Sequence, residues 1–135
     1  MIKIIAGEKG SGKTATLVES INAVAAEDNN VVCIERGNRL DQLLKHSVRL
    51  VNMDEYPVCG FDQLLAFIAG ICSKDYDLTH IYIDSIRKVI GSDDISALDK
   101  FIESLNAFLA NSSIIVTIVV SNSVDSLPDS VKQYL

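Results

Sequence analysis

The stretch Gly7-Glu-Lys-Gly-Ser-Gly-Lys-Thr14, set between an apolar run and a helix-like segment, restricts what this chain can fold into more than any other feature. Gly7, four intervening residues, then Gly12, Lys13 and Thr14 satisfy the phosphate-binding loop pattern. A chain of 135 residues meets that pattern by chance about once in a few hundred sequences at average residue frequencies. The flanks agree with it. Ile2 to Ala6 reads as a strand feeding the loop, and Lys13 to Glu27 places Leu17, Val18, Ile21, Val24 and Ala25 at helical spacing.

The residue types follow from the chemistry of holding phosphate. Glycines at positions 7, 10 and 12 let successive backbone N–H groups turn inward around anionic oxygens. The loop Gly7, Glu8, Lys9, Gly10, Ser11, Gly12, Lys13, Thr14, Ala15 is thus the expected nucleotide cradle. A helix starting near Gly12 adds the partial positive charge of its N-terminus. Lys13 is placed to reach the β and γ phosphates, and the Thr14 hydroxyl to ligate Mg²⁺.

Val31 to Glu35 is a second apolar, β-branched run, so residues 2 to 35 form a strand–loop–helix–strand unit that implies parallel strands and an α/β fold class. Beyond it, Asn38 as a cap with Leu40, Leu43 and Leu44 as an apolar face predicts a short helix ending near His46. Ser47 to Met53 predicts a brief edge strand, Phe61 to Ile71 an apolar helix, and Thr79 to Asp84 a strand ending in a carboxylate. Ser85 to Asp94 reads as a loop, Ile95 to Asn111 as a long amphipathic helix, and Ile114 to Val120 as a strand buried on both faces in mid-sheet. The tail Ser121 to Leu135 reads as too short and polar to form another layer. The expectation is one domain over residues 1–135, a three-layer sandwich around a mostly parallel sheet of about five strands.

Composition narrows the function classes. With 48% hydrophobic and 22% charged residues the chain is globular, and no apolar run is long enough for a membrane span. Because it opens on its first strand, no signal peptide is expected, which predicts a soluble cytoplasmic protein. The net charge of −6 argues against a surface that holds nucleic acid throughout, leaving only local basic patches for that role. Cys33, Cys59 and Cys72 have neither disulfide-framework nor zinc spacing and read as buried thiols.

Asp84 gains meaning from the loop upstream. An acid at the C-terminal end of a buried strand is where Walker B chemistry needs a carboxylate, acting on the metal held by Thr14. No guanine-reading Asn/Thr-Lys-x-Asp segment is present, which favours ATP over GTP as the nucleotide.

Gly-Glu-Lys-Gly-Ser-Gly-Lys-Thr14, Val-Val-Cys-Ile-Glu35, Ile-Tyr-Ile-Asp-Ser-Ile86 and Val-Thr-Ile-Val-Val-Ser-Asn122 occur in the order of the RecA-like P-loop ATPases. Over residues 1 to 122 the chain resembles a minimal member of that group. The resemblance implies that the strand ending at Val120 lies between the loop strand and the Asp84 strand. It also implies that Glu35 activates the attacking water, since Asp84 is followed by Ser85, Ile86 and Arg87 rather than by an acid, and that Ser121 or Asn122 contacts the γ phosphate. Members of the group take a finger residue from a neighbouring subunit, so a homo-oligomer or a larger protein partner is implied. Candidate fingers or polyanion contacts within the chain are Arg36, Arg39, Lys45, Arg49, Arg87 and Lys88.

Three functions fit these residues. The first is Mg·ATP binding with slow hydrolysis by an ATP-driven switch or motor subunit; the second is a nucleotide-binding module with little turnover. The third, a small-molecule kinase, is disfavoured because the only insert, Asn52 to Gly60, is short and carries no arginine.

Overall fold

The computed structural model describes residues 1–92 and 94–135. Five strands, β1 (Ile2–Ala6), β2 (Val31–Glu35), β3 (Arg49–Asn52), β4 (His80–Ile83) and β5 (Ile115–Val120), form one sheet in the order β1-β5-β4-β2-β3. Every pairing is parallel, with Ile2 opposite Val116, Ile81 opposite Val116, Val32 opposite Ile81 and Val32 opposite Arg49. β5 lies between β1 and β4, and the polar-interrupted β3 sits at the edge.

Strand alternation divides the core in two. Ile2, Ile4, Val32, Ile34, Ile81, Ile83, Val116 and Ile118 point to one face. There they pack against α2 (Gly60–Lys74), α3 (Ile86–Ile90), α4 (Leu98–Phe108) and α5 (Asp129–Lys132). Val31, Cys33, Tyr82 and Val119 point to the other face, against Leu17 and Ile21 of α1 (Lys13–Ala25) and against Leu40, Leu44 and Val48. The fold is α/β and compatible with the expected three-layer sandwich. None of these helices is long and apolar enough to cross a membrane.

Four expectations change. Residues 38–46 form successive turns rather than a helix, and although Leu40 and Leu44 are buried as expected, Leu43 is 53% exposed. The backbone there is held from outside: Asn22 donates from Nδ2 to Leu43 O at 2.9 Å and accepts from Lys45 N–H at 2.8 Å. The Glu35 carboxylate accepts from Leu40 N–H at 3.1 Å. Side chains from outside the segment therefore satisfy and hold its backbone groups.

The expected loop at Ser85–Asp94 spans residue 93, which lies outside the described residues, but its first half folds as α3, with Ile86, Val89 and Ile90 buried at i, i+3 and i+4. The tail also joins the core. Leu127 and Val131 are buried among the residues of α4 and β1, and Tyr134 O accepts from Ile4 N–H at 2.8 Å on the open edge of β1. α4 is shorter than expected, beginning at Leu98 instead of Ile95.

Removing the side chain of Leu127, which is 4% exposed, should therefore behave as a core truncation. Leu127→Ala is expected to lower the unfolding free energy by about 2–5 kcal/mol in urea titration. A loss below about 0.5 kcal/mol, the range of ordinary surface substitutions, would mean that the tail does not belong to the core.

Candidate functional site

All five strands run the same way, so their carboxyl ends share one rim, where open parallel sheets place ligand crevices. On that rim lies a cavity of about 690 Å³. Lys9, Gly10, Gly12, Lys13 and Thr14 of the glycine-rich loop and the start of α1 line one side. Asp84 and Ser85 after β4, Val119 and Ser121 at the end of β5, and Arg39, Arg87 and Lys88 line the rest. The lining does not include Gly7, Glu8, Ser11, Ala15 or Glu35.

The loop leaves β1 as an extension of the sheet, with Gly7 N–H donating to Val120 O at 3.3 Å. It then turns through Gly10 (φ 86°) and Gly12 (φ 85°), left-handed positions that a side chain would strain. Gly12 is the N-cap of α1, and the first turn from Lys13 to Ala15 leaves amides without intrahelical acceptors, as every helix N-terminus does. Lys13 Nζ donates back to Glu8 O at 2.8 Å, so the ammonium lies over the loop and is not fully solvated.

Asp84 stands across the cavity, its side chain only 2% exposed, and its Oδ2 accepts from Arg39 Nη2 at 2.9 Å. Without that guanidinium the buried carboxylate would be uncompensated, a loss of several kcal/mol. The residue after it, Ser85, is left-handed at φ 58°, strain of about 1–3 kcal/mol stored next to the acid. Among the described residues, five cations line the cavity (Lys9, Lys13, Arg39, Arg87 and Lys88) against the one carboxylate of Asp84, in a chain whose net charge is −6. The cleft is thus a local positive well suited to a polyanion.

Glu35 lies behind this surface. It is 1% exposed, on the same sheet face as Cys33 and Tyr82, with Oε2 accepting from Leu40 N–H and Oε1 buried without a partner. Burial pushes its carboxyl above the ordinary value, and the charge of Asp84 acts the same way, against the Leu40 N–H and the Arg39 charge, which favour the ionised form. Arg36, the next residue along the chain, is not the partner of Glu35. Arg36 instead donates to the carbonyls of Lys88 (2.6 Å), Met53 (3.4 Å), Val58 (3.3 Å) and Val89 (3.0 Å) and to Asp54 (3.1 Å), tying α3 to residues 53–58.

Of the two residues proposed to sense the γ phosphate, Ser121 lines the cavity. Asn122 accepts from Arg87 Nη2 at 2.9 Å instead. Cys33 is buried as expected, its thiol pushed up by burial and by the nearby Asp84 and Glu35 carboxylates, which makes it inert. Cys72 is half-buried, whereas Cys59, next to Gly60, is exposed, contrary to expectation.

Among the described residues no group of three or more His, Cys, Asp or Glu side chains gathers as a metal site. A Mg²⁺ ion that takes one carboxylate, one hydroxyl and ligand phosphate oxygens needs no such group, and Thr14 and Asp84 on the same cavity fit that mode. The residue that sequence reasoning undervalued is Arg39. It appeared only within a basic stretch, because the irregular path of residues 38–46 conceals which way the side chain points.

The raised Glu35 carboxyl has a defined effect on stability. Between its ordinary and raised values the native state holds a proton that the unfolded chain has lost, so stability falls as pH rises through that window, and the cost is complete above the raised value. Glu35→Gln does not titrate, so its stability relative to the parent should increase as pH rises through and above the ordinary glutamate range, as read by urea unfolding at each pH. A difference that does not change with pH would contradict the shift. No protein-family model matches this chain and no curated protein matches it, so the reading of the cleft rests on its own geometry.

Proposed function

We propose that the chain is a minimal RecA-like P-loop ATPase that binds Mg·ATP in the rim cavity and hydrolyses it slowly. The observation that carries this reading is the pairing of the left-handed Gly10–Gly12 loop and α1 N-terminus with a buried Asp84 across one cationic cavity. The position of β5 between β1 and β4 supports the RecA-like branch, since the alternative kinase and GTPase branch sets the strands of the loop and of the acid side by side.

The loop amides and Lys13 would bind the β and γ phosphates, with Lys13 exchanging the Glu8 carbonyl for phosphate oxygen. Thr14 and Asp84 would hold Mg²⁺, which when bound neutralises charge developing on the phosphates. Ser121 would contact the γ phosphate. Glu35 would take the proton of the attacking water, and a raised carboxyl makes it a stronger base than an ordinary glutamate.

A second reading, a nucleotide-binding module with little turnover, is favoured by one specific observation: Glu35 Oε2 is occupied by Leu40 N–H and Glu35 does not line the cavity. Chemistry would require residues 38–40 to move first, whereas binding would not.

Lys13→Ala removes the mobile positive charge aimed at the phosphates and is expected to weaken Mg·ATP binding by about 10-fold or more in calorimetric titration, with the fold kept by circular dichroism. Unchanged affinity would mean that the loop is not a phosphate site. Glu35→Gln keeps the shape of the side chain, so it should leave Mg·ATP affinity within a few-fold while lowering kcat by about 10² or more, measured by phosphate release. Equal rates in parent and variant would mean that Glu35 is not the base, leaving another acid such as Asp54 or Glu55 or, where neither turns over, the non-catalytic reading.

A further inference from the structure

Arg39 stands where two demands on the cleft meet. Its Nη2 donates to Asp84 Oδ2 at 2.9 Å, yet its side chain is 51% exposed while that of Asp84 is 2% exposed. The other Asp84 oxygen meets the Ser85 hydroxyl at a long 3.4 Å, so Arg39 is the principal partner of this carboxylate. The next residue is fixed: Leu40 is fully buried and its N–H is bonded to Glu35. The backbone at 39–40 is therefore pinned, and the guanidinium alone can leave, by rotation of its own side-chain torsions.

The other arginines near the cleft are committed. Arg36 spends its donors on four carbonyls and Asp54, and Arg87 is held through Nη2 by Asn122 although its buried Nε has no partner among the described residues. Arg39 opens directly into the cavity that Lys13 and Thr14 line. Asp84 cannot serve this guanidinium and a divalent cation at the same oxygen, because the two positive charges repel each other at such close range.

We propose that Arg39 is exchanged between Asp84 and the terminal phosphate of the bound nucleotide. This inference rests on the reading of the cavity as a Mg·ATP site. In the ligand-free chain Arg39 neutralises Asp84. When the metal's charge replaces it there, the guanidinium turns to the γ phosphate and supplies from within the same chain the finger charge that members of the RecA-like group take from a neighbouring subunit. Arg39 neither gives nor takes a proton; water oxygen bonds to the γ phosphorus as the β–γ bridging P–O bond breaks, and the guanidinium stabilises only the charge on the transferring group.

The test is equilibrium binding of Mg·ATP, Mg·ADP and ADP with aluminium fluoride and Mg²⁺, a mimic of the transferring phosphoryl group, to the whole chain and its Arg39 variants. In Arg39→Ala the carboxylate loses its competitor, so the Mg²⁺ concentration needed for half-saturation at fixed ADP should fall several-fold, while affinity for the fluoride mimic should drop about 10-fold or more. Arg39→Lys keeps a counter-charge for Asp84 but loses the planar fork. Its Mg²⁺ requirement should stay near that of the parent while its affinity for the mimic falls.

An unchanged Mg²⁺ requirement in Arg39→Ala, or unchanged affinity for the mimic in both variants, overturns the exchange. If Arg39→Ala unfolds because Asp84 is left bare, Arg39→Lys decides alone: lost affinity for the mimic supports the proposal and unchanged affinity overturns it. A parent chain that binds no Mg·ATP defeats the cleft reading and this inference together. Parent binding that Lys13→Ala abolishes and the Arg39 variants leave untouched defeats this inference alone.

Discussion

The single direction of the five strands is the constraint from which the cleft follows. Parallel strands bring all their carboxyl ends to one rim, and a helix that must begin just after β1 presents its N-terminus at the same rim. The two-residue period of a strand then chooses among the side chains there. Odd positions 31, 33 and 35 of β2, even positions 82 and 84 around β4, and odd positions 117, 119 and 121 around β5 turn toward α1, where the glycine-rich loop ends. Glu35, Asp84 and Ser121 thus come from three separate strands yet share one side of the sheet. Slipping any of those strands by one residue would turn its polar group toward the layer formed by α2 and α4.

Placing two acids on that side of the core has a cost, and the chain meets it with consecutive residues. Arg39 supplies a guanidinium to Asp84, and Leu40 supplies an N–H to Glu35. The two solutions differ in strength. A charge-assisted bond to a cation keeps Asp84 compensated, whereas Glu35 is bonded only by neutral backbone N–H, its Oε1 has no partner among the described residues, and its carboxyl is raised by burial. The chain therefore holds one carboxylate paired with a cation and a second whose charged form is disfavoured, a few residues apart in space and governed by a single turn.

Much of this was legible in the sequence where the signal is local. The glycine-rich loop, all five strands and the mid-sheet place of β5 follow from apolar runs, β-branched residues and the spacing of turn residues. The turns at 38–46 were misread because Leu40, Leu43 and Leu44 imitate a helical face. The bonds that decide otherwise come from Glu35 and Asn22, and no local pattern reports them. α3 and the tail were missed for a different reason. Their apolar pairs, Ile86 with Val89 and Ile90, and Leu127 with Val131, do carry helical spacing, but over stretches too short to stand out from loop. In the site, the acids at strand ends were found because strand ends are predictable, and the role of Arg39 was not, because it sits in irregular structure.

Binding and chemistry make unequal demands on residues 38–40. Reaching the phosphates needs only the loop amides and Lys13, whose tie to the Glu8 carbonyl is one exposed hydrogen bond. Such a bond is worth about 1 kcal/mol and is readily exchanged for one to an anion. Presenting Glu35 to a water molecule requires breaking the Leu40 N–H bond and shifting a fully buried leucine out of the cluster that includes Leu17 and Ile21. The second step costs several times the first, since it exposes apolar surface as well as a backbone donor. On the proposed reading, release of Arg39 from Asp84 removes one of the two anchors of this turn while Leu40 retains the other. On that reading nucleotide capture would be easy, opening toward the base rare, and a slow cycle would follow from the packing of one leucine.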